Sequence, residues 1–150
     1  MKVLVQRVSE ASVSAGGECL ARIGKGCLVL FGVAATDTPE MADRMAEKLA
    51  GLRIFEDGAG KTNRSIVDAG GEIIVVSQFT LYADTDHGRR PGFSAAARPE
   101  TAIPVYERFV EALRGILGAE KVGTGRFGAN MKVALVNDGP FTVELREEAK

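Results

Sequence analysis

The run CLVLFGV at residues 27–33 constrains the fold more than any other feature, because it carries no charged or strongly polar side chain. A strand without a polar face has to be covered on both sides, so other layers of the same domain must pack against it. Strand-like segments precede and follow it, and two helical segments lie between them. We therefore predict a mixed α/β domain of layered β-sheets with two main helices packed on one face.

Strand signals extend along most of the chain, with turn residues between them. We expect strands or hairpins at residues 2–8, 12–24, 27–33, 53–57, 72–81, 121–124, 131–137 and 141–145. The second of these is a hairpin around Gly16-Gly17. Residues 83–98 form a long polar loop, and loops of that length are often functional.

Two segments have the periodicity of amphipathic helices. The first begins with the start signal Thr38-Pro39-Glu40, and its apolar face is formed by Met41, Met45, Leu49 and Leu52. The apolar face of the second is formed by Val105, Phe109, Leu113 and Ile116. A proline is costly deep inside a helix, so we expect this helix to begin near Pro104 and to end near Leu117.

The chain of 150 residues is long enough for one substantial core, and we expect a single domain over residues 1–150. Its composition, 45% hydrophobic and 26% charged, is that of globular proteins. No apolar run approaches the roughly 20 residues that span a membrane, and the first residues lack a signal-peptide pattern. We therefore expect a cytoplasmic protein without a membrane partner.

The cysteine count and the net charge exclude further classes of function. Cys19 and Cys27 are too few for a disulfide framework or a zinc site, so we expect two small buried hydrophobes, no metal and no cofactor. A net charge of −1 argues against a broad basic face that coats nucleic acid. Two groups of cations could either contact an RNA end or form a solvated surface: Arg89, Arg90 and Arg98, and Lys121, Arg126 and Lys132.

Few residues offer acid–base chemistry, because His87 is the only histidine. It lies in TDHGRR without a neighbouring nucleophile, which favours an exposed loop histidine, although a Ser-His-Asp site assembled in space stays open. In VVSQFTL, an apolar strand leads into Ser77, Gln78 and Thr80. These residues either end an edge strand or, with backbone N–H groups, form a neutral site for an ester and its oxyanion.

The heptapeptide VNDGPFT at residues 136–142 interrupts the last strand pattern with Gly139-Pro140. The simpler interpretation is a hairpin turn, since Asn137, Asp138 and Gly139 are turn residues and Pro140 can open the returning strand. The alternative is a functional loop, because glycine exposes bare backbone and an X-Pro bond can be cis.

Three motifs carry a resemblance that covers essentially the whole chain, from MKVLVQRVSEASV to NDGPFTVEL. They are SQFTL at residues 77–81, GRFGANM at 125–131 and NDGPFT at 137–142. In these motifs and their order the chain resembles the D-aminoacyl-tRNA deacylases. A sister branch that edits L-alanine has Pro and Ala in place of Ser77 and Phe79, and this chain does not.

The resemblance implies a deacylase-type fold and a homodimer that hydrolyses the ester between a D-amino acid and the 3′-terminal adenosine of tRNA. Ser77, Gln78, Phe79 and Thr80 would form the floor of the catalytic pocket. Gly139 and Pro140, joined by a cis bond and inserted into the partner subunit's site, would check chirality. Their carbonyls would accept hydrogen bonds from the substrate ammonium, so that an L side chain collides with backbone. Such a check tolerates many D side chains and glycine.

Other positions take roles from the same resemblance. Arg7 would hold the loop carbonyls through its guanidinium, whereas without the resemblance an ordinary ion pair is the simpler interpretation. Phe93, Phe127 and Met131 would pack against the adenine or belong to the core, and Asn137 would contact substrate. Thr80 would position the substrate, because no neighbouring base activates it as a nucleophile. The 2′-hydroxyl of the terminal ribose and the Phe79 N–H would assist catalysis.

Two other functions are compatible with these motifs. A non-catalytic module that binds an RNA 3′ end would share the pocket and the basic groups but release no amino acid. A general esterase would act on small esters that lack an adenosine. Release of amino acid from D-tyrosyl-tRNA, and not from its L counterpart, supports the deacylase, whereas binding without release supports the module.

Overall fold

One long strand, β1 (Lys2–Ala15), organises the computed structural model, which describes residues 1–150. Along one edge β1 pairs antiparallel with β8 (Met131–Arg146). Along the other edge its first half pairs with β3 (Gly26–Gly32) and its second half with β2 (Glu18–Ile23). Alternate residues of β1 are buried, as expected for a strand whose one face packs on a core.

Two parallel strands extend the sheet beyond β3, and the sheet curves so that its two ends approach each other. β6 (Glu72–Ser77) pairs with β3, and β7 (Val122–Thr124) pairs with β6, which gives the order β2-β1-β3-β6-β7. A Cβ placed on Gly123 of β7 would lie 2.8 Å from the Cβ of Ala21 of β2, so the two ends of this order meet. The sheet is therefore nearly a barrel. A separate hairpin joins β4 (Phe55–Glu56) to β5 (Thr62–Arg64).

Two long helices, α1 (Pro39–Gly51) and α3 (Pro99–Leu117), pack on one face of the sheet, and a single turn, α2 (Ile66–Ala69), lies between them in sequence. The main core joins both helices to the sheet, and Phe31 of β3 stacks on Phe109 of α3 with ring centroids 4.3 Å apart. A smaller core fills the opposite face. The predicted fold class is confirmed. None of the helices combines the length and hydropathy needed to cross a membrane.

Several predicted boundaries are wrong. α3 begins at Pro99 and includes Pro104. The helix tolerates this proline because Pro104 lies on the exposed face, where water can bond the carbonyl that the proline leaves without an N–H donor. β1 is continuous where two segments were expected, and β6 ends at Ser77. Cys19 is exposed, whereas Cys27 is buried as predicted.

The hairpin interpretation of VNDGPFT is also wrong. The arms on either side of Gly139-Pro140 do not pair with each other, since both pair with β1: Asn137 lies opposite Val8, and Thr142 opposite Gln6. Residues 138–141 therefore form a bulge within one continuous strand, and Arg7 of β1 lies opposite this bulge.

Candidate active site

A pocket with a volume of about 600 Å³ opens between the end of β6, the start of α3 and the segment before β8. Most of the side chains that line it are hydrophobic, and its size is that of a site for a small organic ligand. Arg98 is the only charged residue in the lining. The pocket can therefore accept an apolar group, and its lining offers no Asp, Glu, His or Lys for acid–base catalysis.

The floor of the pocket is the segment where β6 ends. The Gln78 N–H donates to the carbonyl of Phe31 at 2.8 Å, and residues Phe79–Tyr82 then turn into a 3₁₀ helix. Gly32 allows this turn to pack on β3, because a Cβ there would lie 3.1 Å from the Gln78 carbonyl oxygen. The Gln78 amide donates to the Thr80 hydroxyl. The N–H groups that open a helical turn have no acceptor within it, so this floor presents polar backbone.

One wall of the pocket is the segment 125–131. A Cβ on Gly125 would lie 2.5 Å from the sulfur of Met131, so the glycine lets the thioether fold back beneath the loop. The Arg126 N–H donates to that sulfur at 3.3 Å. The centroids of the Phe127 and Tyr106 rings are 6.1 Å apart. The segment thus packs on the Met131 thioether, and Phe127 and Met131 line the pocket.

Tyr106 of α3 ties the wall to the floor. Its hydroxyl donates to the Val75 carbonyl at 2.9 Å, and the same carbonyl accepts the Gly125 N–H at 3.2 Å. Burial raises the pKa of Tyr106 to about 12, so the hydroxyl remains a donor at neutral pH. Three elements of the pocket therefore meet at one carbonyl oxygen.

The loop at residues 83–98 borders the mouth of the pocket. Asp84 and Gly92 exchange backbone hydrogen bonds of 2.7 and 2.8 Å, which close the tip of this loop. After the tip, the Phe93 ring packs edge-to-face on the Phe79 ring with centroids 5.1 Å apart. Both rings are exposed, Phe79 by 57%. An exposed aromatic pair offers a surface on which a base can stack.

The bulge in β8 is a second candidate site, and its Gly139-Pro140 bond is cis. Arg7 is buried beneath it and bonds main-chain oxygens: Nε donates to Asp138 at 2.9 Å, and Nη1 donates to Ile54 at 2.8 Å. Gly139 has φ +139°, and a Cβ there would lie 2.9 Å from Nη2 of Arg7. Only glycine therefore fits above the guanidinium.

Asn137 closes the same bulge. Its Oδ1 accepts the Phe141 N–H at 2.6 Å, and its Nδ2 donates to the Thr142 hydroxyl at 2.9 Å. The Phe141 ring centre lies 4.7 Å from the guanidinium carbon of Arg7. The amide of Asn137 is thus used within the bulge.

Comparison with known proteins decides the family. The sequence pattern of the D-Tyr-tRNA(Tyr) deacylase family matches residues 4–146. This chain belongs to that family. A D-aminoacyl-tRNA deacylase of Symbiobacterium thermophilum is 57% identical over 99% of this chain and 97% of the relative. One of Bacteroides thetaiotaomicron is 52% identical over 95% of both chains. As a member of the deacylase family, the protein is a hydrolase.

Solved structures agree with the deacylase assignment at the level of the fold. The c-Myc DNA Unwinding Element Binding Protein superimposes with a TM-score of 0.93 at 43% identity, over 99% of this chain and 100% of the other. A probable eukaryotic D-amino acid tRNA deacylase gives a TM-score of 0.84 at 18% identity, over 96% and 97%. At that identity the second likeness supports the fold alone.

The residues singled out in this deacylase from sequence fall into two groups. The pocket is lined by Ser77, Gln78, Phe79, Phe93, Phe127 and Met131, and Thr80 adjoins it through Gln78. Arg7, Asn137, Gly139 and Pro140 gather at the bulge and line no part of the pocket of their own chain. His87 is exposed at the tip of the 83–98 loop, as predicted.

Sequence reasoning missed Tyr106 and Gly32. Tyr106 follows Val105 on the buried side of α3, and a buried tyrosine hydroxyl needs a partner, so its position was the available signal. Gly32 ends an apolar strand, and nothing in the local sequence indicates that a turn 46 residues later packs against it. No group of three or more His, Cys, Asp or Glu side chains is placed to hold a metal ion.

Proposed function

We propose that this protein hydrolyses the ester bond between a D-amino acid and the 3′-terminal adenosine of tRNA, releasing the amino acid and free tRNA. The observation that carries the proposal is the pocket floored by SQFTL in a chain that belongs to a deacylase family. Relatives more than 50% identical are named D-aminoacyl-tRNA deacylases, which supports the same substrate class.

The pocket suits a terminal adenosine with its ester at the floor. Phe127 and Met131 contact the adenine from the wall, and the Phe79–Phe93 pair covers the mouth. The Phe79 N–H, at the start of the 3₁₀ turn, stabilises the oxyanion that forms when the ester is attacked. Because the lining holds no Asp, Glu, His or Lys, the ribose 2′-hydroxyl assists the attack, and Ser77, Gln78 and Thr80 position the ester.

We propose further that the bulge of one subunit reaches the pocket of its partner in a homodimer. The bulge lies outside the pocket of its own chain, which supports a role in trans. β8 pairs only with β1, and Val133 and Val136 on it are 37% and 49% exposed. A long edge strand with exposed valines is a surface that a second copy would cover. Val133 also lines the pocket, so such an interface would adjoin it.

In this arrangement the carbonyls of Gly139 and Pro140 bind the substrate ammonium, and Arg7 holds the backbone that carries them. An L side chain would then collide with main chain, while a D side chain would point to solvent. Such a check depends on the space between the substrate and the main chain, and not on which side chain the substrate carries. D-amino acids in general, and glycine, would therefore be accepted.

The test is to incubate the protein with D-tyrosyl-tRNA, L-tyrosyl-tRNA and p-nitrophenyl acetate, and to measure free amino acid or nitrophenol. Release of D-tyrosine alone supports the proposal. Binding of either tRNA without release would favour a module that binds RNA 3′ ends, which would share the pocket. Equal hydrolysis of the small ester would favour a general esterase.

A further inference from the structure

Most arginines of this protein already bond an acceptor. The sequence contains twelve, and eight bond a carboxylate, an amide oxygen or a carbonyl: Arg7, Arg44, Arg53, Arg64, Arg108, Arg114, Arg126 and Arg146. The four without such a partner are Arg22, Arg89, Arg90 and Arg98, and all four are exposed. Three of these four, Arg89, Arg90 and Arg98, lie in the loop at residues 83–98, which borders the mouth of the pocket.

The backbone that carries these three arginines is held at both ends. The Asp84–Gly92 hydrogen bonds close the tip that holds Arg89 and Arg90. Beyond the tip, the Ala97 N–H donates to the Val33 carbonyl at 2.8 Å, which fixes the residue before Arg98 to the residue that follows β3. The guanidinium groups therefore extend from an anchored frame, and ordering them on a ligand costs less entropy than ordering a free loop.

The acidic residues of this loop do not neutralise the arginines. Asp84 Oδ1 accepts the N–H of Asp86 at 3.0 Å, and neither Asp84 nor Asp86 forms an ion pair. Guanidinium groups without a carboxylate partner are suited to bind phosphate, which they contact through two parallel hydrogen bonds. The aromatic pair Phe79–Phe93 lies in the same region. Proteins that bind single-stranded nucleic acid combine such stacking rings with cations along the backbone.

We propose that Arg89, Arg90 and Arg98 bind phosphodiester groups of the tRNA strand that leads into the terminal adenosine. This rests on the proposed function, because it places the adenosine in the pocket that Arg98 lines. Arg98 contacts the phosphate next to that adenosine, and the tip contacts phosphates further from the 3′ end. Contacts with these phosphates thereby add to the affinity that the adenosine provides, although the net charge of the chain is −1.

The experiment compares KM for D-tyrosyl-tRNA with KM for D-tyrosyl-adenosine, which lacks these phosphates. In Arg89→Ser/Arg90→Ser, we expect the ratio of KM for the tRNA to KM for the adenosine ester to rise roughly tenfold at low salt, which corresponds to about 1.4 kcal/mol of binding free energy. The slope of log KM for the tRNA against log salt concentration should fall by about 1.4, or about 0.7 for each phosphate contact. Arg89→Lys/Arg90→Lys should recover most of the slope.

Arg22→Ser is the matched control, because Arg22 is also exposed and unpaired but lies on β2. It should leave the KM ratio unchanged. A ratio in Arg89→Ser/Arg90→Ser equal to that of Arg22→Ser would overturn this inference alone, provided that the wild type hydrolyses D-tyrosyl-adenosine. Failure of the wild type on D-tyrosyl-adenosine and on D-tyrosyl-tRNA would overturn the proposed function and this inference with it.

Discussion

The pocket and the bulge are built by opposite means. The pocket is a cavity of about 600 Å³ shaped by side chains, many of them aromatic, from three elements that meet at the Val75 carbonyl. The bulge presents bare main chain, and one buried guanidinium beneath it bonds two carbonyls. A site made of side chains selects a ligand by contact, whereas a site made of rigid backbone selects by what it excludes.

That difference explains how a hydrolase could be strict about handedness and tolerant of side-chain type. The proposed adenosine site provides affinity and needs close contact. The proposed chirality check provides rejection and needs only that the backbone stays in place. We expect mutations in the two regions to differ accordingly, with pocket mutations raising KM and bulge mutations lowering turnover and discrimination.

Gly139→Ala should have the largest effect. The added Cβ would lie 2.9 Å from Arg7 Nη2, so the bulge has to shift, and a displacement of about 1 Å in a catalytic arrangement can cost on the order of 100-fold in rate. We expect such a loss in kcat for D-tyrosyl-tRNA. Gly17→Ala is the control, because Gly17 also has positive φ but nothing within 4 Å. A Gly139→Ala protein as active as Gly17→Ala would remove the bulge from the site.

Arg7→Ala should rank second. It leaves the Ile54 and Asp138 carbonyls without their donor, and we expect the free energy of unfolding to decrease by about 3 kcal/mol. The bulge would loosen, and the ratio of D- to L-tyrosyl-tRNA hydrolysis should fall roughly tenfold or more. Arg44→Ala, which removes an exposed ion pair with Glu147, should leave that ratio and the stability nearly unchanged. Full discrimination in a folded Arg7→Ala protein would refute the role.

Tyr106→Phe tests the pocket side of the comparison. It removes one of two donors to the Val75 carbonyl but keeps the ring, so we expect a roughly fivefold rise in KM with little change in kcat, and a loss of about 1 kcal/mol in stability. Tyr82→Phe is the matched control, because the Tyr82 hydroxyl bonds no protein group and Tyr82 does not line the pocket. An unchanged KM in Tyr106→Phe would show that the junction at Val75 does not shape the pocket.

The sequence predicts more of the pocket than of the bulge. SQFTL could be assigned to the pocket because an apolar strand that ends in polar residues is a local pattern, and the resemblance supplied the remaining residues. The shape of the bulge could not be predicted, since Asn137-Asp138-Gly139-Pro140 has the composition of a hairpin turn. Its conformation depends on both arms pairing with β1, more than 120 residues earlier in the chain. The start of α3 could not be predicted for a similar reason, because a helix tolerates Pro104 only where its exposed face carries the proline.

Alkaline stability gives the most local test of the bulge side, and the one with the smallest expected effect on turnover. Burial raises the pKa of Cys27, the cross-strand partner of Arg7, from 9.0 to about 12, although the charge of Arg7 opposes the shift. Between pH 9 and 12 the unfolded thiol ionises and the folded thiol does not. The unfolded state then binds fewer protons, so the free energy of unfolding falls as pH rises, by at most about 1.4 kcal/mol per pH unit.

Denaturant unfolding at several pH values measures this slope. Cys27→Ala should show a shallower loss of stability over that interval than the wild type, with little change in turnover. Cys19→Ala should keep the wild-type slope, because Cys19 is exposed. Identical slopes in Cys27→Ala and Cys19→Ala would show that the thiol beside Arg7 is not protected from ionisation.

The most direct test of a bulge that acts in the partner's pocket is a heterodimer with two different defects. One subunit carries Ala129→Trp, which fills its pocket, and the other carries Gly139→Ala, which disables its bulge. Each homodimer should be nearly inactive on D-tyrosyl-tRNA. In the heterodimer, purified through two different tags, one intact pocket faces one intact bulge, so we expect about half the wild-type rate. A rate no higher than that of either parent homodimer would contradict a chirality check supplied in trans.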